Sequence, residues 1–430
     1  MVWNSSSTQT EVESATSDFH VAGPVCLPAG FHLLWSGQLV SLIGSQLSTL
    51  AIQIIAVKSL HAGAMEMGFV TASQTLPYLL FSLIIGVVVD RISRRGLLIG
   101  ADLVRFVTLL IGSALAAWSH LTIPLLCGIV CLTGLFNLIF DAALGALIPE
   151  LFNARQRLIA NSRLSVSLTG SEVVGPSMAG FLLQTISVTG IMMVDAATYV
   201  VSAVFVVLAI PRQKNMRALV GLDASNSPAL NVMAELRAGV RFVWFHPVLR
   251  TFAIWSAVWN FSWSAVLSVF VLYASGTLMI PSALIGLVVA VGAMGGVCGA
   301  YAAPLFRRRW STGKVLLTTP IIGATGGAIL LLGRLGHPVV VLSAGLFLYS
   351  LGESSFGVNM QTCRQDVTPI ELLGRMDTTM RFCFRGMASL GALAGGFVGA
   401  KLGIFLALAF GVSGLFVTVA GLRYSRLKEI

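Results

Sequence analysis

From Phe31 to the C-terminus the chain is an almost unbroken succession of apolar stretches, each near the length that crosses a bilayer, separated by short polar loops. A helix needs about 20 mainly apolar residues to traverse the hydrocarbon layer, where no water can bond its backbone groups. Twelve spans fit this rule: 32 to 57, 67 to 89, 96 to 118, 122 to 148, 158 to 183, 188 to 210, 249 to 273, 282 to 304, 313 to 333, 337 to 360, 376 to 400 and 402 to 422. Only 10% of the 430 residues are charged, against about 25% in an ordinary soluble domain, so most of the surface faces lipid. The expectation is an all-α membrane protein with little length left for a soluble catalytic domain.

Charge gives this array a direction. With twelve spans both termini share a side, and the basic clusters (Arg91, Arg94, Arg95; Arg307, Arg308, Arg309; Arg423, Arg426, Lys428) fall there, whereas Lys58, Arg334 and Lys401 fall opposite. The positive-inside rule then makes the termini cytoplasmic, and it accounts for the net charge of +10 with no nucleic-acid partner. Residues 1–30 carry Ser, Thr and acids but no Lys or Arg, unlike a signal peptide, and are read as a flexible cytoplasmic tail. The remaining division is a six-span bundle at 31–210, a cytoplasmic linker at 211–247, a second bundle at 248–424 and a short tail at 425–430. Within the linker Leu230, Met233, Leu236, Val240 and Val243 recur at helical spacing, which predicts an amphipathic helix on the membrane surface. The six cysteines lack the paired spacing of a disulfide framework. Cys127 and Cys131 share a helix face without a His nearby in sequence, so small apolar packing is preferred to a metal site, and no cofactor is expected.

The two bundles read as copies. An offset of 213 residues superposes Gly86 on Gly299, Arg94 on Arg307 and Arg95 on Arg308; an offset of 216 superposes Gly170, Gly175 and Gly180 on Gly386, Gly391 and Gly396. Nearly equal offsets close to half the chain argue for duplication, the plan by which many secondary transporters surround a central site.

The segment Gly86-Val-Val-Val-Asp90-Arg91-Ile-Ser-Arg94-Arg95 resembles the signature loop of the major facilitator superfamily, Gly-x-x-x-Asp-Arg-x-Gly-Arg-Arg, with Ser93 in place of a glycine. Ser171-Glu172-Val-Val-Gly175-Pro176-Ser-Met-Ala179-Gly180 resembles that family's exporter motif in the fifth span, with Ser171 and Ala179 replacing glycines. The resemblance covers residues 31 to 424. Together with Asn137, Asp141 and the surface helix near Arg237 to Pro247, it is similar to the branch containing the enterobactin exporter and macrolide efflux proteins. It implies the major facilitator fold, two pseudo-symmetric six-helix bundles, working as a monomer in the cell inner membrane. The implied activity is secondary export of an amphipathic small molecule, a drug, siderophore or other metabolite, by alternating access, with protons as the coupling ion. By the same resemblance Gly86, Asp90, Arg91, Arg94 and Arg95 form a conformational latch: Asp90 docks at the N-terminus of the eleventh span, and Arg94 pairs with an acid on the fourth, Asp141 being the candidate. A solvated basic loop would explain the arginines but not the fixed spacing of Asp90 from Gly86. Ala303 stands at the Asp90 position of the second half, so the latch is asymmetric.

Glu172 is the first residue to test for proton coupling, because an acid at mid-membrane must face a cavity, find a partner or be neutral. The alternative is a permanently neutral, hydrogen-bonded Glu in the seam between helices. Asp102 and Arg105, three apart, are expected to neutralise one another, while Asp195 and Glu353 are less central candidates. Many proton-coupled exporters carry an acid in the first span, where this chain reads Gly44-Ser45-Gln46. Gln38 and Gln46 could line a substrate cavity with Asn260, faced by a stripe of Trp255, Trp259 and Trp263; the stripe either meets substrate or packs against protein and lipid. The Gly391, Gly395, Gly399 and Gly403 ladder reads as tight helix packing. Three other functions stay in view: uptake by the same fold, a non-transporting membrane receptor or assembly factor, and a membrane enzyme. The last is disfavoured because the six histidines are scattered, and no nucleotide-binding loop is present.

Overall fold

A computed structural model describes residues 27–152, 154–182, 184–210, 230–369 and 372–425. In chain order the helices are α1 (Ala29–Lys58), α2 (Ala64–Arg91), α3 (Arg94–Ala117), α4 (Ile123–Leu151), α5 (Ala154–Leu182), α6 (Val188–Ala209), α7 (Leu230–Phe245), α8 (Pro247–Leu272), α9 (Ser282–Arg309), α10 (Thr312–Leu330), α11 (Pro338–Asp366), α12 (Leu373–Leu402) and α13 (Ile404–Arg423). Ten of them are long and apolar enough to cross a membrane. The other two spans are α2 and α5, which have comparable lengths of 28 and 29 residues and pack among the ten. The twelve expected spans thus correspond to α1–α6 and α8–α13. The expected amphipathic segment is α7, which packs on α8 and α12 with Val243 buried while Val240 stays exposed. The tail expected at 1–30 lies outside the described residues up to 26, as do the linker residues 211–229.

Sequence chemistry sets the helix limits. Ser187 and Ser311 cap α6 and α10 by accepting from Gly190 N and Lys314 N. Pro124, Pro247 and Pro338 occupy first-turn positions of α4, α8 and α11, where a missing N–H costs nothing. On α3, Leu103, Val107, Leu110 and Ile111 are exposed while Asp102 and Arg105 are buried. Such a helix turns its apolar stripe to lipid and its charges inward, the reverse of a soluble protein.

We call the side where α1 begins and α13 ends the basic face; it carries Arg94, Arg95 and Arg307 to Arg309. Within the first half α1 packs on α5 and α6, α2 on α4, and α3 on α4 and α6; within the second, α8 packs on α12 and α13, and α11 on α9 and α10. The halves meet along two crossings, α2 with α12 and α5 with α9. Each joins the second helix of one half to the fifth of the other, as a pseudo-twofold axis requires.

Both crossings are made close by glycine pairs near the opposite face. A Cβ on Gly68 would lie 2.9 Å from Gly396 Cα, and one on Gly286 would lie 2.6 Å from Gly180 Cα. No side chain larger than hydrogen fits, so the backbones touch and gain dispersion contact, the force that joins helices where lipid removes the hydrophobic drive. The apolar core follows the same division. On the opposite face one cluster runs through both halves, from Ile54, Met67 and Leu126 to Val266, Leu342 and Leu408. Toward the basic face it splits into two, one around Phe31, Leu98, Phe140 and Phe152, the other around Leu249, Phe252, Met376 and Met380. Among the described residues the apolar core is shared at one end and divided at the other.

Candidate functional site

The parting between the halves is polar. Tyr78 of α2, Asp141 of α4, Glu172 of α5, Glu353 of α11, and Arg381 and Arg385 of α12 sit deep among the helices; the acids and arginines are solvent-exposed and Tyr78 partly so. Tyr78 donates its hydroxyl hydrogen to Asp141 Oδ2 at 3.2 Å. The Arg385 guanidinium lies 4.9 Å from the centre of the Tyr78 ring. Arg381 and Arg385 both act electrostatically on Asp141, Arg385 acts on Glu172, and Glu172 acts on Glu353 across the boundary between halves. Charges from both halves therefore come within electrostatic reach of one another. Beside them, Thr75 of α2 and Ser389 of α12 share a hydrogen bond of 2.8 Å.

Several residues singled out from sequence belong here and others do not. Glu172 faces this parting with Glu353, while its neighbour Ser171 is fully buried and bonds back to Leu168 O. Gly175 lets Gln46 cross α5, and Pro176 lies inside a continuous helix with its carbonyl against Gly286. Gly391 and Gly395 pack on the α8 backbone at Phe261 and Ala265, and Gly399 on Ala64. Gly403 (φ +98°) instead ends α12 in a backbone conformation that favours glycine. For Arg94, expected to pair with Asp141, the described ion pair is with Glu150, its Nε 3.2 Å from Oε1, nearer the basic end of α4. Arg95 donates to Val207 O near the C-terminus of α6 at 3.2 Å, where the helix dipole favours a cation. The side chains of Asp90 and Arg91, and the packing at Gly86, fall outside the described residues, and so does the expected latch contact.

The tryptophan stripe packs against protein along part of its length. Trp259 is buried, donates from Nε1 to Tyr349 Oη at 3.1 Å and stacks on that ring, while Trp263 stacks on it from a centroid distance of 3.4 Å. Trp255 closes on Gly421. Asn260 donates to Ser256 O in its own helix, and Gln38 is buried with its Oε1 unbonded. The tryptophans and Asn260 belong to the second half, and Gln38 to α1 of the first.

Asp102 and Arg105 do pair, and more than a pair forms. Arg105 also donates to Asn137 Oδ1 at 2.7 Å and lies between the rings of Phe140 and Tyr199, 4.6 and 4.4 Å from their centres. Sequence reasoning overlooked Arg381, Arg385 and Tyr78. Two arginines inside the eleventh span were a legible signal, since an intramembrane charge is a functional candidate by default.

A twofold bundle with a charged space between its halves defines a multi-pass membrane transporter of small molecules rather than an enzyme. The sequence model of the Major Facilitator Superfamily matches residues 34–392, and the chain belongs to that family. The multidrug efflux pump Tap of Mycolicibacterium fortuitum is 27% identical over 392 residues, covering 86% of this chain and 90% of that protein. Macrolide efflux protein A of Streptococcus pyogenes is 28% identical over 179 residues, 41% of this chain and 44% of the relative. Among solved structures, a bacterial homologue of the iron transporter ferroportin in its inward-facing state superposes with a TM-score of 0.72 at 16% identity, covering 93% of this chain and 99% of that one.

Proposed function

We propose that this transporter exports an amphipathic small molecule, a drug, siderophore or other metabolite, from the cytoplasm by alternating access, driven by the proton gradient. Its termini and basic face would be cytoplasmic in a cell inner membrane, and one chain would suffice. The observation that carries the reading is the single apolar cluster at the opposite face, which divides into one per half toward the basic face. That division supports a cleft open toward the basic side, and the positive-inside rule supports this side as the cytoplasmic one. Substrate would enter between Glu172, Glu353 and Tyr78, where acids from two halves stand beside Arg381 and Arg385 and suit a molecule with polar and apolar parts. Rocking of the halves about the two glycine crossings would then expose the same groups to the outside. Efflux relatives support the export direction.

A panel of fluorescent and radiolabelled amphiphiles tests this in paired membranes of opposite orientation. Export predicts loading of energised inside-out vesicles and reduced accumulation in intact cells carrying the protein. Accumulation in intact cells with no loading of inside-out vesicles would establish uptake instead.

A further inference from the structure

A second polar space lies within the first half alone. It is a cavity of about 120 Å³ between α1, α2, α4 and α6, and its lining includes Ser45, Ser48, Gln74, Asn137, Asp195 and Tyr199. Its charges do not balance. Asp102, Arg105 and Asp195 are respectively 0%, 4% and 1% exposed, which makes two acids against one base. Arg105 is committed to Asp102, to Asn137 and to the two flanking rings. Asp195 has no ion-pair partner among the described residues. The Thr198 hydroxyl lies 3.3 Å from its Oδ1, and Ser48 lies beside it with a buried Oγ that bonds to nothing in good geometry. α1 makes room for this carboxylate with a glycine: a Cβ on Gly44 would lie 2.6 Å from Asp195 Oδ1.

One unbalanced negative charge inside a membrane protein is expensive, and the surroundings supply oxygen rather than a further cation. We propose that this chamber binds a single monovalent cation on the Asp195 carboxylate, with Ser48 Oγ as a neighbouring ligand. A sodium ion, held by oxygen coordination, and a proton, bonded to the carboxyl oxygen, share one property here: each cancels the single negative charge of that carboxylate. The volume exceeds the ~30 Å³ share of one water, so a sodium ion with a water fits. A divalent ion would leave a net positive charge and find only one free carboxylate, against the several acids such ions use. The helices packed on α6 are α1 and α3. From α3, Arg105 faces the group and Asp102 faces Tyr199, the titratable neighbour on α6, while α1 offers hydroxyls. Arg105 repels the incoming cation, so binding is weak enough to reverse within a transport cycle. That coupling role rests on the export reading, whereas the binding does not.

The test uses the purified full-length protein without any substrate. Radioactive sodium binding is measured in choline-balanced buffer, and infrared difference spectra of carboxyl groups are recorded across a pH titration without sodium. The expected result is saturable sodium binding at one ion per chain, or a titrating carboxyl band, with whichever appears reduced at least tenfold in Asp195→Asn. Ser48→Ala should weaken sodium binding severalfold and leave a proton signal in place. Gly44→Ala, which crowds the carboxylate while keeping every charge, should weaken either, and it serves if Asp195→Asn does not fold. Glu172→Gln should leave the Asp195-dependent signal intact. Absence of both signals in the wild-type chain, or a signal undiminished in folded Asp195→Asn and Gly44→Ala, overturns the site. A chain that binds the cation yet moves no amphiphile in vesicles would instead sink the transport reading alone.

Discussion

At the level of Arg105 and of Trp259 the two halves fill their interiors with different chemistry, although the second also buries Arg364 and Asn359 on α11. In the first, α3 and α6 bury Asp102, Arg105, Asp195 and Tyr199 beside a small polar cavity that half-buried Asn137 of α4 also lines. In the second, the counterpart helices α10, α11 and α13 bury Ala324, Tyr349 and Leu415 with Trp259 of α8, and glycines such as Gly323 and Gly352 bring α10 and α11 into backbone contact. A buried charged network has several arrangements of protons and hydrogen bonds, each sensitive to one added charge. A stacked aromatic core has one, fixed by shape. Duplicated halves need not be equivalent: a charged network in the first stands where an aromatic stack fills the second.

The largest expected effect breaks the first half. Arg105→Ala leaves two buried acids without their cation, and removing one partner of a buried ion pair costs about 3–5 kcal/mol. Thermal unfolding in detergent should show loss of folded protein or a fall of many degrees, and Arg105→Lys should recover only part, since an ammonium cannot lie flat between two rings. Next come the crossings. Gly180→Val and Gly286→Val should prise apart the opposite face, visible as new thiol labelling at cysteines introduced there and as a reduction of flux of at least tenfold. Unchanged flux would remove these glycines from the mechanism. On the second half Trp259→Phe loses its hydrogen bond to Tyr349, at about 1 kcal/mol, so the melting temperature should drop by a few degrees without altering ion dependence. Smallest in stability is Tyr78→Phe, expected within about 0.5 kcal/mol of the parent. Its effect should appear in transport, as severalfold slower efflux when Asp141 loses its hydroxyl partner; wild-type efflux would show that Asp141 needs no such partner.

Much of this was legible in the chain because it is periodic. Span length and the repeat offsets specify twelve helices in two bundles, and the correspondence of Gly180 with Gly396 marks the two crossings. The Asp102–Arg105 pair could be read because its members lie three apart on one helix face. Contacts between distant helices could not. Arg94 has two acids on α4 within its direction, and only the register of α3 against α4 selects Glu150. The Trp255 to Trp263 stripe has a helical period whether it meets substrate or core, and Tyr349, supplied by α11, decides for core at Trp259 and Trp263. The assembly of Tyr78, Arg385 and Asp141 depends on the packing of α2 against α12, which no local pattern encodes.

Paired spin labels across the boundary between halves test their difference most directly. One pair would sit on the basic face at Leu151 and Trp310, the other on the opposite face at His120 and Leu335, all exposed positions. The account predicts that adding the cation shortens one distance as it lengthens the other, that Asp195→Asn abolishes the shift, and that Trp259→Phe leaves it in place. A cation-dependent shift of full size in folded Asp195→Asn would contradict it.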